Sequence, residues 1–260
     1  IAYAMNRIIF LCSILAITVV SLSCKKGKEE KEVPSDNPHG NLAIKFHYAF
    51  AQTPGDFKLH QEVVHPQTGD TITFTNFKFY ISNFKLKKAD GTWWVHPESY
   101  YLADISDGDN SVFTIKDVPA GTYTAMEYVM GVDSTANVTG AQTGALSMAH
   151  GMFWDWLSGY IMVKAEGKSP QSVTKFFSFH LGGFAGEDNI VTVKQTNFNG
   201  QELKIADKQT AQISMRVNLA TLWHDAPPLK DASAIHAPGP LAKKFATGFY
   251  QHGIDFSSID

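Results

Sequence analysis

Asn41-Leu42-Ala43-Ile44-Lys45-Phe46-His47-Tyr48-Ala49-Phe50 decides the fold class. Leu42, Ile44, Phe46, Tyr48 and Phe50 occupy alternate positions, with Lys45 and His47 between them. A period of two sends the apolar set to one side of an extended chain and the polar set to the other, as in a half-buried strand. Further on, Phe77, Phe79 and Ile81 keep one parity while Phe84 and Leu86 take the other. One extra residue swaps the faces of a strand, so a β-bulge is predicted near Ser82-Asn83. Ala89-Asp90-Gly91-Thr92 reads as a hairpin turn. More strands are predicted over residues 111–118, 122–130, 160–165, 175–180, 190–194, 202–206 and 209–222, with turns at Pro119-Ala120-Gly121, Glu166-Gly167 and Asn199-Gly200. Many short strands at near-regular spacing give an all-β fold, an antiparallel β-sandwich with long connecting loops. One helix is expected within residues 137–156, and the weakly patterned tail, residues 226–260, is expected as an irregular segment closing one end of the sandwich.

Ahead of this body, Met5-Asn6-Arg7 leads into an apolar run from Ile8 to Leu22 and then Ser23-Cys24. A basic start, a short apolar stretch and a small residue before the processing point make a secretory signal. The run falls short of the roughly 20 apolar residues of a spanning helix. Val20-Ser21-Leu22-Ser23-Cys24 resembles a lipoprotein signal box, with Ser21 where Leu is more usual, so Cys24 is expected to carry the lipid anchor. Residues 25–32 mix both charge signs and run into Val33-Pro34-Ser35-Asp36-Asn37-Pro38, a composition that solvates rather than folds. The expected organisation is a signal peptide over 1–24, a tether over 25–40 and a single domain over 41–260. That places the chain on the outer membrane, on its periplasmic or cell-surface side.

The net charge is −3, and no basic cluster lies beside aromatic residues within the body, which argues against nucleic acid as a partner. Both cysteines, Cys12 and Cys24, precede the body. An intradomain disulfide, a Cys-ligated zinc and a thiol nucleophile are thereby excluded, and a metal site must draw on His, carboxylates or something less usual. Without a nucleophile elbow, phosphate loop or dinucleotide fingerprint, no enzyme is expected.

Ten histidines are the chemical resource. His39 and His65 fall in expected loops and read as solvated, and His60 sits in a connection. His47 lies on the polar face of the first strand, His96 follows the hairpin in Trp93-Trp94-Val95-His96-Pro97, and His180 ends a strand in Phe176-Phe177-Ser178-Phe179-His180. Trp94 and His96 are two apart, so both project from one face of a strand, where they could flank a metal; the same spacing also fits packing beside a surface imidazole. Gly151-Met152-Phe153-Trp154-Asp155-Trp156-Leu157-Ser158-Gly159-Tyr160 packs so much aromatic area that it reads as a core-forming plug.

A set of motifs occurs in order over roughly residues 42–222. It comprises Phe79-Tyr80-Ile81-Ser82-Asn83 with Leu86 and Asp90-Gly91, Tyr101-Leu102-Ala103-Asp104, and Val118-Pro119-Ala120-Gly121-Thr122-Tyr123. Gly131-Val132-Asp133, the Gly151–Trp156 run with Ser158-Gly159-Tyr160, Glu166-Gly167 and Phe179-His180-Leu181-Gly182 complete it. The ordered set resembles the MbnP-like copper-binding family, nearer its lipoprotein branch than its methanotroph members. The resemblance implies a β-sandwich with a mononuclear copper site. In methanotroph members that site resembles two histidines and a kynurenine made by oxidising a tryptophan, with a dihaem peroxidase-like partner implicated in the oxidation. On that resemblance Trp94-Val95-His96 matches the Trp-x-His element, Trp94 becomes the residue open to conversion, His180 supplies the second imidazole and His47 is a further candidate. Trp154 and Trp156 read as architectural. The expected function is a lipid-anchored copper-binding protein for acquisition, storage or delivery. The alternative is a structural or interaction domain on the same fold that uses aromatics such as Trp93.

Overall fold

A computed structural model describes residues 37–260 apart from 54, 97–98, 107–111, 140–141 and 156. The expected signal segment, Cys24, the leash up to residue 36 and Trp156 lie outside the described residues. The first half of the body holds β1 (His39–Ala49), β2 (Glu62–Val64), β3 (Thr71–Lys88), β4 (Trp93–Val95), β5 (Tyr100–Asp104), β6 (Val112–Pro119) and β7 (Gly121–Met130). The five-residue α1 (Ser134–Val138) is followed by β8 (Phe153–Asp155), β9 (Gly159–Lys168), β10 (Phe176–Gly182), β11 (Thr192–Asn197) and β12 (Leu203–Ile205). Then come β13 (Thr210–Asn218), β14 (Ala234–Ile235), α2 (Pro240–His252) and β15 (Ile254–Ile259).

Two sheets face each other. The smaller runs β15-β13-β1-β6; the larger runs β11-β7-β3-β9-β10-β14, with β2, β4 and β5 also on β3, β12 on β7 and β8 on β9. Most pairs are antiparallel, while β1–β13 and β10–β14 are parallel. The alternating face of β1 fills the space between the sheets: Phe46 meets Phe79 at 5.4 Å and Tyr48 meets Phe77 at 6.4 Å, both edge-on. Edge-to-face rings of this kind add to the burial of large apolar area.

The bulge in β3 is where the sequence places it. Register with β7 shifts between Ser82 and Lys85, and Asn83 takes a φ of +52°. Three bonds pin the kink: Ser82 Oγ donates to Gly131 O at 2.9 Å, Asn83 Nδ2 to Asp133 Oδ2 at 2.8 Å, and Asn83 N to Ser99 O at 2.7 Å. As a result Phe77 and Phe79 before the bulge and Phe84 and Leu86 after it all bury in one core.

The outer face of the larger sheet carries a second apolar cluster, with Tyr80, Val132, Met152 and Tyr160 at its centre. Tyr80 and Tyr160 hydroxyls donate to Ala145 O and Leu146 O, at 2.9 and 2.8 Å, fastening the segment above them. The aromatic plug read from the sequence is this layer. In place of one helix over 137–156 it contains α1 and two single 3-10 turns, because Asp133 caps α1 and Asn137 turns back to bond Val132 O and Asp133 O.

Two further expectations are corrected. The tail is irregular up to residue 239 apart from β14, and regular from Pro240 on: α2 sets Phe249 5.4 Å from both Phe77 and Phe79 and Phe245 4.5 Å from Phe179, and β15 then joins β13. Lys194 Nζ donates to Tyr250 O, a carbonyl in the last turn of α2, and to Ile254 O at the start of β15. His65 is buried rather than solvated. Its Nδ1 accepts from Thr68 N at 3.1 Å, which fixes the proton on Nε2, 3.0 Å from Ala220 O.

Candidate metal centre

β10 and β14 meet in parallel with Ser178 opposite Ala234 and Phe179 opposite Ile235. The next residue on each chain is a histidine, so His180 and His236 emerge side by side with ring centres 4.8 Å apart. That separation is the interstrand spacing. Both sit on the outer face of the larger sheet, since His180 pairs with Lys164, which pairs with Lys78, while Phe179, Ala165 and Phe79 turn inward.

Glu166 lies against His180. His180 Nε2 is 2.7 Å from Glu166 Oε1, and Asn76 Nδ2 donates to Glu166 Oε2 at 3.0 Å. Burial pushes the Glu166 carboxyl up, but the bonds from His180 and Asn76 and the nearby Lys164 charge outweigh it and hold the group below the usual carboxylate range. An ionised carboxylate only accepts, so the proton of neutral His180 is on Nε2 and the lone pair is on Nδ1. Burial is also the largest influence on His180, and it keeps the imidazole below its ordinary value despite the raising bond to Glu166. His236 Nε2 is 2.9 Å from Ser178 Oγ, which is 3.3 Å from His180 Nε2, so Ser178 lies between the two rings.

The other residues singled out from the sequence lie elsewhere. Trp94 opposes Leu86, which is fully buried, and Trp94 packs against the same inter-sheet core. His96 stacks on Trp94 at 5.5 Å and 12°, with Tyr101 Oη 3.4 Å from its Nε2. Burial lowers its affinity for a proton, and the Asp117 charge opposes that. His47 points away from the core on the outer side of the smaller sheet and pairs with Asp56 at 3.4 Å. His180, the Trp94–His96 stack and His47 therefore occupy three different layers, and the four residues do not surround one ion. The cause is the β3 bulge: it turns Leu86 and its partner Trp94 inward, whereas Lys78, on the strand before the bulge, leads outward to His180. Among the described residues no three His, Cys, Asp or Glu side chains form a ready-made metal cage.

The sequence reading missed His236 and Glu166. Ala234-Ile235-His236 repeats the small–apolar–His order of Ser178-Phe179-His180, a signal legible only once the two segments are known to pair.

The family model for MbnP matches residues 39–237. This chain belongs to the MbnP family. A solved MbnP from Methylosinus trichosporium is 15% identical and has a TM-score of 0.49, over 77% of this chain and 82% of that one. No curated protein matches. Within the MbnP match fall His180, His236 and Glu166, as well as Trp94, His96 and His47; α2 and β15 lie past its end.

Proposed function

We propose that this MbnP-family chain is an exported, non-enzymatic copper-binding protein, tethered through an acylated Cys24 and acting in copper acquisition, storage or delivery. The observation that carries the reading is an imidazole held by a half-buried carboxylate beside a second imidazole from another strand. A metal-ligating histidine commonly donates its other ring N–H to a carboxylate, which fixes tautomer and ring orientation. Glu166 stands in that relation to His180, which leaves Nδ1 as the donor.

The ring centres stand 4.8 Å apart, close enough for two imidazoles on neighbouring strands to reach one ion with His180 presenting Nδ1. Imidazole donors suit copper, and a body without cysteine removes competing thiolates. Here His180 and His236 are the donors, Glu166 is the positioning residue and Ser178 separates the rings.

Copper affinity measured by competition with a chelator tests the reading. His180→Ala and His236→Ala are each expected to weaken binding more than Glu166→Gln does, and loss of such an outer partner costs about 10- to 100-fold. Unchanged affinity in both folded histidine variants would overturn the assignment. A second reading is favoured by the Trp94–His96 stack: copper at the sandwich rim, with Trp94 converted to kynurenine by a dihaem peroxidase-like partner. It is adopted if His96→Ala alone abolishes binding and intact mass maps a modification to Trp94.

A further inference from the structure

A second pair of imidazoles lies away from the first. His224 follows the 3-10 turn Leu219–Trp223, and His252 is the last residue of α2. Their rings stack at 3.9 Å with 25° between planes. They come from segments nearly thirty positions apart, so their contact is set by packing and not by local sequence.

That packing is tight. A Cβ at Gly248 would stand 2.6 Å from Thr221 O and 3.0 Å from His224 O, and one at Gly253 would stand 2.6 Å from Thr221 Oγ1. Only bare glycine lets α2 approach this closely, and the approach brings His252 onto His224. Asp225 adds a carboxylate, with Oδ2 3.2 Å from His224 Nδ1. The arrangement repeats, at an exposed position, the carboxylate-on-imidazole contact that orients a metal ligand.

We propose that His224 and His252, with Asp225 orienting His224, bind a borderline divalent transition-metal ion such as Zn2+ or Cu2+ at a site separate from His180 and His236. Neutral imidazoles are the commonest ligands for such ions, and two of them in contact present two donors without a folding rearrangement. The rings stack nearly face to face, so binding needs each to rotate about its side-chain bonds until one nitrogen of each faces the same ion. Both rings are free to do so, since His252 is exposed and the His224 side chain is 40% exposed. Lys243 and Lys244 share the cleft beside His224 and Asp225, and Lys243 Nζ is turned aside to donate to Glu187 O at 2.8 Å. His224 lies within the family match and His252, on α2, lies past its end.

The test is titration of the full mature chain with Zn2+, read by the ring 15N resonances of the assigned histidines. His224 and His252 are expected to shift together and saturate at one equivalent of their own, in His180→Ala as well as in the unmodified protein. His252→Gln is expected to weaken this event about a hundredfold, because the second donor acts at a high effective concentration. His224→Gln is expected to do the same, and the amide spectrum of each variant verifies its fold. Unshifted His224 and His252 resonances at excess Zn2+, shifts in one ring alone, or shifts abolished by His180→Ala would each overturn the proposal. Failure of the first copper site leaves these outcomes unchanged.

Discussion

Gly182, two residues beyond His180, shows how closely the plug is fitted to the outer sheet face. A Cβ there would stand 2.5 Å from Trp154 Cζ3 and 2.7 Å from Tyr160 O. Gly182→Ala is expected to displace the Trp154 ring and to destabilise the fold by about 1–3 kcal/mol, the usual cost of overpacking. Chemical denaturation measures it, and an unchanged midpoint would show that Trp154 moves aside freely. At Glu166 the effect is electrostatic. The ionised carboxylate favours the charged imidazolium of His180, so Glu166→Gln is expected to lower the His180 pKa further, as followed by NMR titration. A rise would mean that burial alone governs the ring. Little of this pairing is legible residue by residue: His180 stands out at a strand end, but Glu166-Gly167 reads as a turn although both lie inside β9, and His236 sits in a tail with no strand pattern around it.

Among the elements, β3 carries the most consequence. Its two apolar parities are visible in the sequence, and they place the bulge correctly. The same bulge dictates which face each later strand presents, and that did not follow from Trp94-x-His96 spacing taken alone. Periodicity within a strand gives two faces without saying which is inward; the partner Leu86 decides it. Deleting Asn83 would return Phe84 and Leu86 to the outer face, so no cooperatively folded protein is expected; a folded product by circular dichroism would mean that the bulge migrates. Asn83→Ala keeps the register but loses the Asp133 bond and leaves a left-handed φ on a Cβ-bearing residue without a local partner; it is expected to cost about 1–2 kcal/mol. α2, by contrast, was within reach. Ala242, Phe245, Ala246, Phe249 and Tyr250 have helical spacing between Pro240 and Gly253, but alanines and a glycine dilute its apolar stripe.

Across the whole molecule, acid is expected to weaken the fold in two stages. Burial holds His65, His96 and His180 below the ordinary imidazole value of 6.5. Unfolded, these rings take up protons near that value; folded, they resist. The unfolded state therefore binds more protons just below pH 6.5, and stability falls as pH drops from there toward the folded values. The lowered carboxylates Asp104, Asp133, Glu166 and Asp260 act further down, losing their contribution as pH falls below the ordinary carboxylate range. Urea midpoints at pH 7.5, 6 and 5 measure the first stage, and a midpoint that rises toward pH 5 would contradict it.

The ladder between β10 and β14 has consequences of its own. Two register pairs join Ala234–Ile235 to Ser178–Phe179, whereas seven join β9 to β10. Hydrogen exchange should strip protection from residues 234 and 235 long before the neighbouring ladder opens. His236 then sits on a hinged clasp and His180 on a fixed post, so a cargo held between them could be let go at the speed of local fraying while the rest of the sandwich stays zipped.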